Sequence, residues 1–139
     1  MKFRAFIDGA ARGALGRVAP PENRGCAVCV VLASEGYPRA VVLGRPIAGL
    51  DAAAGDPDVV VFHAGTRRQT DGSFATAGGR VLGITARGDS VAAARERAYR
   101  AVDQITFEGR QFRRDIAARA QVSRSPQGRE AAAQRGEAE

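Results

Sequence analysis

Apolar positions recur along this chain at two different periods. Between Ser90 and about Ile105, the residues Val91, Ala94, Ala98, Val102 and Ile105 fall on one stripe at helical spacing. This predicts the longest helix of the chain. Asp89 or Ser90 is placed to cap it by accepting a backbone N–H. Elsewhere the apolar runs are short and rich in β-branched residues. Cys26 to Ala33 is apolar almost throughout and reads as a strand buried on both faces, although a short buried helix has the same pattern. Val59–Phe62 and Val81–Thr85 are two further runs, separated by Gly65, Asp71-Gly72 and Gly78-Gly79. They predict two or three antiparallel strands with glycine-bearing connections. Asp71-Gly72 suits a hairpin turn, because Gly tolerates positive φ and Asp can bond back to its own backbone.

The remaining segments are weaker signals. Met1 to Leu15 reads as an imperfect amphipathic helix, with Phe3, Phe6, Ile7 and Ala10 on one face and Gly9 and Gly13 weakening it. Val18 to Gly25 is a connector, stopped by Pro20-Pro21. Ser34 to Pro38 is a polar loop: either a plain turn, or a place where Gly36 admits a ligand and Tyr37 packs across it. Val41 to Leu43 reads as a short strand, and Pro46 puts Gly44 to Gly49 at an edge or bend. Asp51 to Asp58 reads as a surface turn. Phe107, Phe112 and Ile116 are placed to anchor the segment after the long helix, and Ala117 to Ala120 suits a last helical turn. Together these predict an α+β domain over residues 1–120, with a mainly antiparallel sheet and one long helix packed across it. Residues 121–139 contain one valine as their only large aliphatic and are expected to form a flexible polar tail.

Composition narrows the functional classes. Aromatics are only 6%, so the core must be built from small and β-branched residues. There are 21 basic and 15 acidic side chains, and all of the basic ones except Lys2 are arginine. The resulting +6 invites a nucleic-acid reading, but no continuous basic helix, zinc spacing or aromatic platform supports one. Arginines facing a phosphate-bearing small molecule account for the charge equally well. Cys26 and Cys29 have CxxC spacing, yet residues three apart on a strand face opposite ways. A zinc site would need ligands beyond the single His63. Both cysteines are therefore expected to be buried and structural, as suits a reducing compartment. No run approaches the roughly 18 apolar residues that a membrane span requires, so no membrane partner and a cytoplasmic location are expected.

Candidate chemistry gathers in the central segment. Gly78-Gly79-Arg80 can expose main-chain N–H groups beside a guanidinium able to grip a phosphate or carboxylate; a tight turn with a solvated arginine is the alternative. His63 is either a ligand contact or a strand-end histidine bonded to backbone, and no nucleophilic triad surrounds it. Thr66 and Thr76 carry hydroxyls nearby. Arg113 and Arg114 are further anion candidates, one of which can face solvent or pair with Asp115. No GxxxxGK[ST] or GxGxxG segment is present, and no carboxylate cluster suits magnesium around a nucleotide. The residues therefore read as a binding or completing domain with no catalytic group of its own.

Several ordered motifs carry a family resemblance. They are Gly36-Tyr37-Pro38, then Gly44-Arg45-Pro46-Ile47-Ala48-Gly49-Leu50, then FHAGT around His63. GGRVLGITA follows from Gly78 to Ala86, and Phe112-Arg113-Arg114-Asp115-Ile116 with Arg119-Ala120 closes the series. At this spacing the chain resembles the C-terminal domain of glycinamide ribonucleotide synthetase (phosphoribosylamine–glycine ligase) from about Leu15 to Ala120. The resemblance implies the hybrid-type C-terminal fold of ATP-grasp ligases. It also implies a role in purine biosynthesis: closing the site over phosphoribosylamine or glycinamide ribonucleotide. His63, Thr66, Gly79, Arg80 and Arg113 are the implied substrate-binding residues, with no catalytic or metal-binding residue. ATP and magnesium would belong to the complete enzyme, with no cofactor in this chain, so an ATP-grasp protein partner is implied. The chain departs from the family pattern at Val41 and Leu43, where a tyrosine and a basic residue are frequent. Ala77 stands where some members have Asn, and Ala117 stands in place of the usual Gly. These departures keep a second class open: a stand-alone phosphometabolite-binding or regulatory module. A basic nucleic-acid-binding module is the third.

Overall fold

The structure, a computed structural model, describes residues 2–19 and 25–122. The expected connector lies partly outside the described residues, at 20–24, and so does the tail from 123 to 139. Element order is α1 (Lys2–Ala11), a 3-10 turn (Leu15–Arg17), β1 (Cys26–Ala33), β2 (Pro46–Ile47), α2 (Leu50–Ala53), β3 (Val59–His63), β4 (Thr66–Arg68), β5 (Phe74–Thr76), β6 (Arg80–Gly88), α3 (Val91–Gln104) and α4 (Ala118–Val122). Two antiparallel three-stranded sheets result, in the orders β1-β6-β3 and β2-β5-β4. The expected α+β class, with antiparallel strands and one long helix, is the architecture found.

The core lies between α3 and one face of the larger sheet. Alternation along β1 and β6 sends Val28, Val30, Leu32, Leu82, Ile84 and Ala86 to that side, where Ala94, Ala98, Ala101, Val102 and Ile105 meet them. The alanine stripe lets the helix approach the sheet closely. Leu32, Leu82, Ile84 and Ile105 are fully buried, each contributing roughly 1.5–3 kcal/mol. Ser90 caps α3, its hydroxyl accepting from the Ala93 N–H at 3.1 Å.

Several expectations are corrected. The segment 59–86 holds four strands, because the Asp71-Gly72 turn joins a separate hairpin, β4–β5. There Asp71 Oδ1 accepts from the Ser73 N–H at 2.9 Å, as a hairpin turn requires. Val41–Leu43 is not a strand. Its neighbourhood is spent on a turn, in which the Arg39 and Ala40 N–H groups donate to the Gly36 carbonyl and the Val42 N–H donates to Glu35. Asp51–Asp58 is not wholly a surface turn, since α2 forms there and buries Ala53. Pro46 does sit on an edge strand, β2. Finally, β1 is buried on one face only. α3 covers one side of the sheet, so Cys29 on the other side is exposed; Cys26, at the start of the strand on the covered side, packs against the core but is only half-buried, and neither is in a disulfide.

Candidate functional site: an arginine-rimmed groove

Where Arg80 points is decided by a fault in strand register. β1 and β6 pair Leu32 with Leu82, but the next pair is Ala33 with Arg80. β6 therefore carries one extra residue, Val81. A bulge of this kind shifts the phase of a strand and re-aims the side chains beyond it. Leu82 and Val81 are both fully buried, whereas Arg80 emerges beside Ala33 on the face away from α3. There it lines a groove of about 470 Å³ with Cys29, Val31, Ala33, Tyr37, Gln111, Phe112, Arg113 and Ile116. The floor is apolar and the two arginines stand at the rim.

Arg113 reaches this groove because its loop is tied down from α3. The Tyr99 hydroxyl donates to the Arg113 carbonyl at 2.7 Å and accepts from the Ile116 N–H at 3.2 Å. Arg95 donates to the carbonyls of Arg114 at 2.7 Å and Ile116 at 3.0 Å. From the other side, Gln111 and Ala33 exchange backbone hydrogen bonds at 2.8 and 2.9 Å across the free edge of β1. Phe112 lies between the guanidiniums of Arg110 and Arg114, at 5.0 and 5.1 Å from its ring centre. Tyr99 and Arg95 were not singled out from the sequence, although their i,i+4 spacing places them on one helix flank.

The two arginines are in different states. Arg113 makes a two-pronged contact with Asp115, at 2.9 and 2.6 Å. That hydrogen bond raises the pKa of Arg113 and lowers that of Asp115. Arg80 has no hydrogen-bond or ion-pair partner for its guanidinium among the described residues. It is the cation free to meet an incoming anion.

The other expected residues fall differently. A β-carbon on Gly79 would lie 2.4 Å from Tyr37 Cδ2, so glycine there makes room for the Tyr37 ring at the groove wall. The Gly79 carbonyl accepts from the Ser34 N–H at 2.9 Å, and the Ser34 hydroxyl donates to the Gly78 carbonyl at 2.9 Å. The glycine pair thus anchors the Tyr37 turn. His63 and Thr66 do not line the groove. His63 Nδ1 lies 2.9 Å from Thr66 Oγ1, and its ring packs 4.5 Å from Phe74 in the smaller sheet. Thr76 is buried, its hydroxyl accepting from the Arg45 N–H at 3.0 Å. The structure therefore unites Arg80 with Arg113, backed by Gly79, and sets His63–Thr66 apart as a second polar pair.

Among the described residues, no group of three or more His, Cys, Asp or Glu side chains is arranged to hold a metal ion. No described helix is long and apolar enough to cross a membrane.

Fold and groove define a small antiparallel α+β domain with an arginine-rimmed edge, of the ligase C-domain type that the motifs imply. Comparison with known proteins gives the family. Residues 27–119 match the model described as phosphoribosylglycinamide synthetase, C domain, and the chain belongs to that family. It is 49% identical over 116 residues to a phosphoribosylamine–glycine ligase of Phenylobacterium zucineum, covering 83% of this chain and 27% of the relative. It is 46% identical over 112 residues to the chloroplastic phosphoribosylamine–glycine ligase of Arabidopsis thaliana, covering 80% and 21%. The crystal structure of the phosphoribosylamine–glycine ligase of Thermotoga maritima superimposes with a TM-score of 0.68 at 36% identity, over 82% of this chain and 27% of that one. The chain thus spans about a quarter of the length of the relatives it matches.

Proposed function

We propose that this chain is the substrate-closing domain of a phosphoribosylamine–glycine ligase activity. It holds the phosphate of phosphoribosylamine or of glycinamide ribonucleotide and depends on an ATP-grasp body for ATP, magnesium and glycine activation. One observation carries the reading: Arg80 and Arg113, distant in sequence, line the same groove, and Arg80 has no carboxylate partner among the described residues. A guanidinium pair suits a phosphate dianion by charge and by forked geometry. Asp115 keeps the Arg113 fork in place until the phosphate arrives. His63 and Thr66 serve the ribose or amine end from beyond the glycine turn.

The test is an amide-shift NMR titration of the full chain with glycinamide ribonucleotide, the stable product. Shifts at Gly79, Arg80 and Arg113 that vanish in Arg80→Ala are expected. A well-folded chain without such shifts overturns the reading.

A second reading is favoured by the apolar spacer after the Tyr37 turn, where Val42 and Leu43 stand exposed. A stand-alone phosphometabolite module would bind another sugar phosphate through the same arginines. Shifts with ribose 5-phosphate but none with glycinamide ribonucleotide would select it.

A further inference from the structure

Tyr37 is a large aromatic side chain that the core does not use. It stands on the turn after β1, outside the hydrophobic cluster and 42% exposed. Among the described residues its hydroxyl has no hydrogen-bond partner, and no other ring or guanidinium is stacked on it. Its position is nevertheless closely fixed. The Tyr37 N–H donates to the Ser34 carbonyl at 3.2 Å, and the Arg39 N–H closes the turn on the Gly36 carbonyl at 2.9 Å. Gly36 has φ 77°, and a β-carbon there would lie 1.8 Å from the Ala40 carbonyl oxygen. Ser34, bonded to Gly78 and Gly79, ties this turn to the start of β6. Gly79 is not among the glycines of positive φ, so its backbone would carry a side chain without left-handed strain. The Tyr37 ring alone stands in the way: one ring edge, Cδ2 and Cε2, would lie 2.4 and 2.8 Å from a β-carbon. Two glycines thus seat an exposed ring at the wall of the groove, directly before Arg80.

What this ring can meet follows from its charge distribution. The face of an aromatic ring is partially negative, so it repels the phosphate that the two guanidiniums attract. It accepts a neutral surface of C–H groups instead, and a ribose ring presents one wherever its hydroxyls leave the carbons uncovered. Gly79 joins the seat of Tyr37 to Arg80 in the chain, so the neutral and charged ends of one small ligand are met by adjoining backbone. We propose that Tyr37 is a specificity-determining residue: its ring lies against the sugar of the phosphate ester held by Arg80 and Arg113. The groove then prefers a cyclic sugar phosphate to an open-chain ester or to inorganic phosphate. The inference rests on the proposed function and adds to it the residue that reads the sugar.

The test titrates the full chain with glycinamide ribonucleotide, glycerol 3-phosphate and inorganic phosphate. NMR reads affinity at the Arg80 and Arg113 amides and contact at the Tyr37 ring protons. In the parent chain glycinamide ribonucleotide should bind about tenfold tighter than glycerol 3-phosphate. Transferred Overhauser contacts should join its ribose protons to the Tyr37 ring, a readout that needs no variant. Tyr37→Ala should bring the two esters toward equal affinity. Tyr37→Phe keeps the face and should keep the preference. Gly79→Ala leaves Tyr37 in the sequence but pushes its ring off the seat, and should lose the preference as Tyr37→Ala does. Equal affinities in the parent, absent Overhauser contacts, or a preference that survives Tyr37→Ala overturns the assignment. A preference lost in Tyr37→Phe gives the reading to the hydroxyl and overturns the face contact. Shifts at Arg80 and Arg113 without the preference sink this inference alone. No shift at either arginine with glycinamide ribonucleotide sinks the proposed function and this inference with it.

Discussion

Tyr99 holds Arg113 by its backbone: the phenol donates to the Arg113 carbonyl at 2.7 Å while accepting from Ile116. One side chain of α3 thereby sets the loop that delivers a groove arginine. Tyr99→Phe removes both bonds and keeps the ring. It should cost about 0.5–1.5 kcal/mol in urea denaturation and speed hydrogen exchange at the Ile116 amide. An unchanged Ile116 exchange rate would show that Arg95 alone holds the loop.

Ala117 adopts φ 60°, a left-handed conformation that costs a residue with a β-carbon roughly 1–2 kcal/mol. The glycine that the family resemblance implies at this position would be free of that cost. Ala117→Gly should stabilise the chain by about 1 kcal/mol once the greater freedom of glycine in the unfolded chain is subtracted. A urea midpoint that falls would mean the turn relaxes away from this φ in solution.

Gly44 and Gly49 separate backbone strain from collision. Both have positive φ, 81° and 83°. A β-carbon at Gly44 meets nothing within 4 Å, whereas at Gly49 it would lie 1.8 Å from the Gln104 carbonyl oxygen. Gly44→Ala should therefore cost about 1–2 kcal/mol, and Gly49→Ala at least ~3 kcal/mol. Equal losses in thermal denaturation would refute the packing of Gly49 under the end of α3.

Asp115 titrates below its ordinary value of 3.8, chiefly through the hydrogen bond from Arg113. Asp71 is likewise held down, first by the Ser73 hydroxyl and then by the Ser73 N–H. A depressed carboxylate stabilises the fold above its unfolded pKa, and that contribution is lost as pH falls through the folded one. Both groups are fully exposed, so the effect is small. Carboxyl-carbon NMR should find both midpoints under 3.8, and Arg113→Ala should return Asp115 toward it. An Asp115 midpoint that does not move in Arg113→Ala would mean the pair is not formed in water.

The longest elements were legible because one physical signal dominated each. The stripe Val91, Ala94, Ala98, Val102 and Ile105 could only be a helix lying on a core, and Cys26–Ala33 and Val81–Thr85 pair as strands. The smaller sheet was not legible, since its two- and three-residue strands carry no period and are held by single contacts such as that of Thr76 with Arg45. Of the site, the two arginines and the glycine pair were readable as residue types. Their meeting was not, because it depends on the Tyr99 clasp and on strand register. That His63 stands apart from the two arginines was not legible for the same reason: its position on β3 sets its ring against Phe74.

The extra residue at Val81 separates the address of a charge from the composition that encodes it. Paired without the bulge, with Val81 opposite Ala33, β6 would keep its charge and hydropathy yet place Arg80 in phase with Leu82, beneath α3. The surface that receives the positive charge is thus decided by which residue of β6 meets Ala33, and the residue at Val81 is free to vary among apolar types so long as it stays out of that pairing.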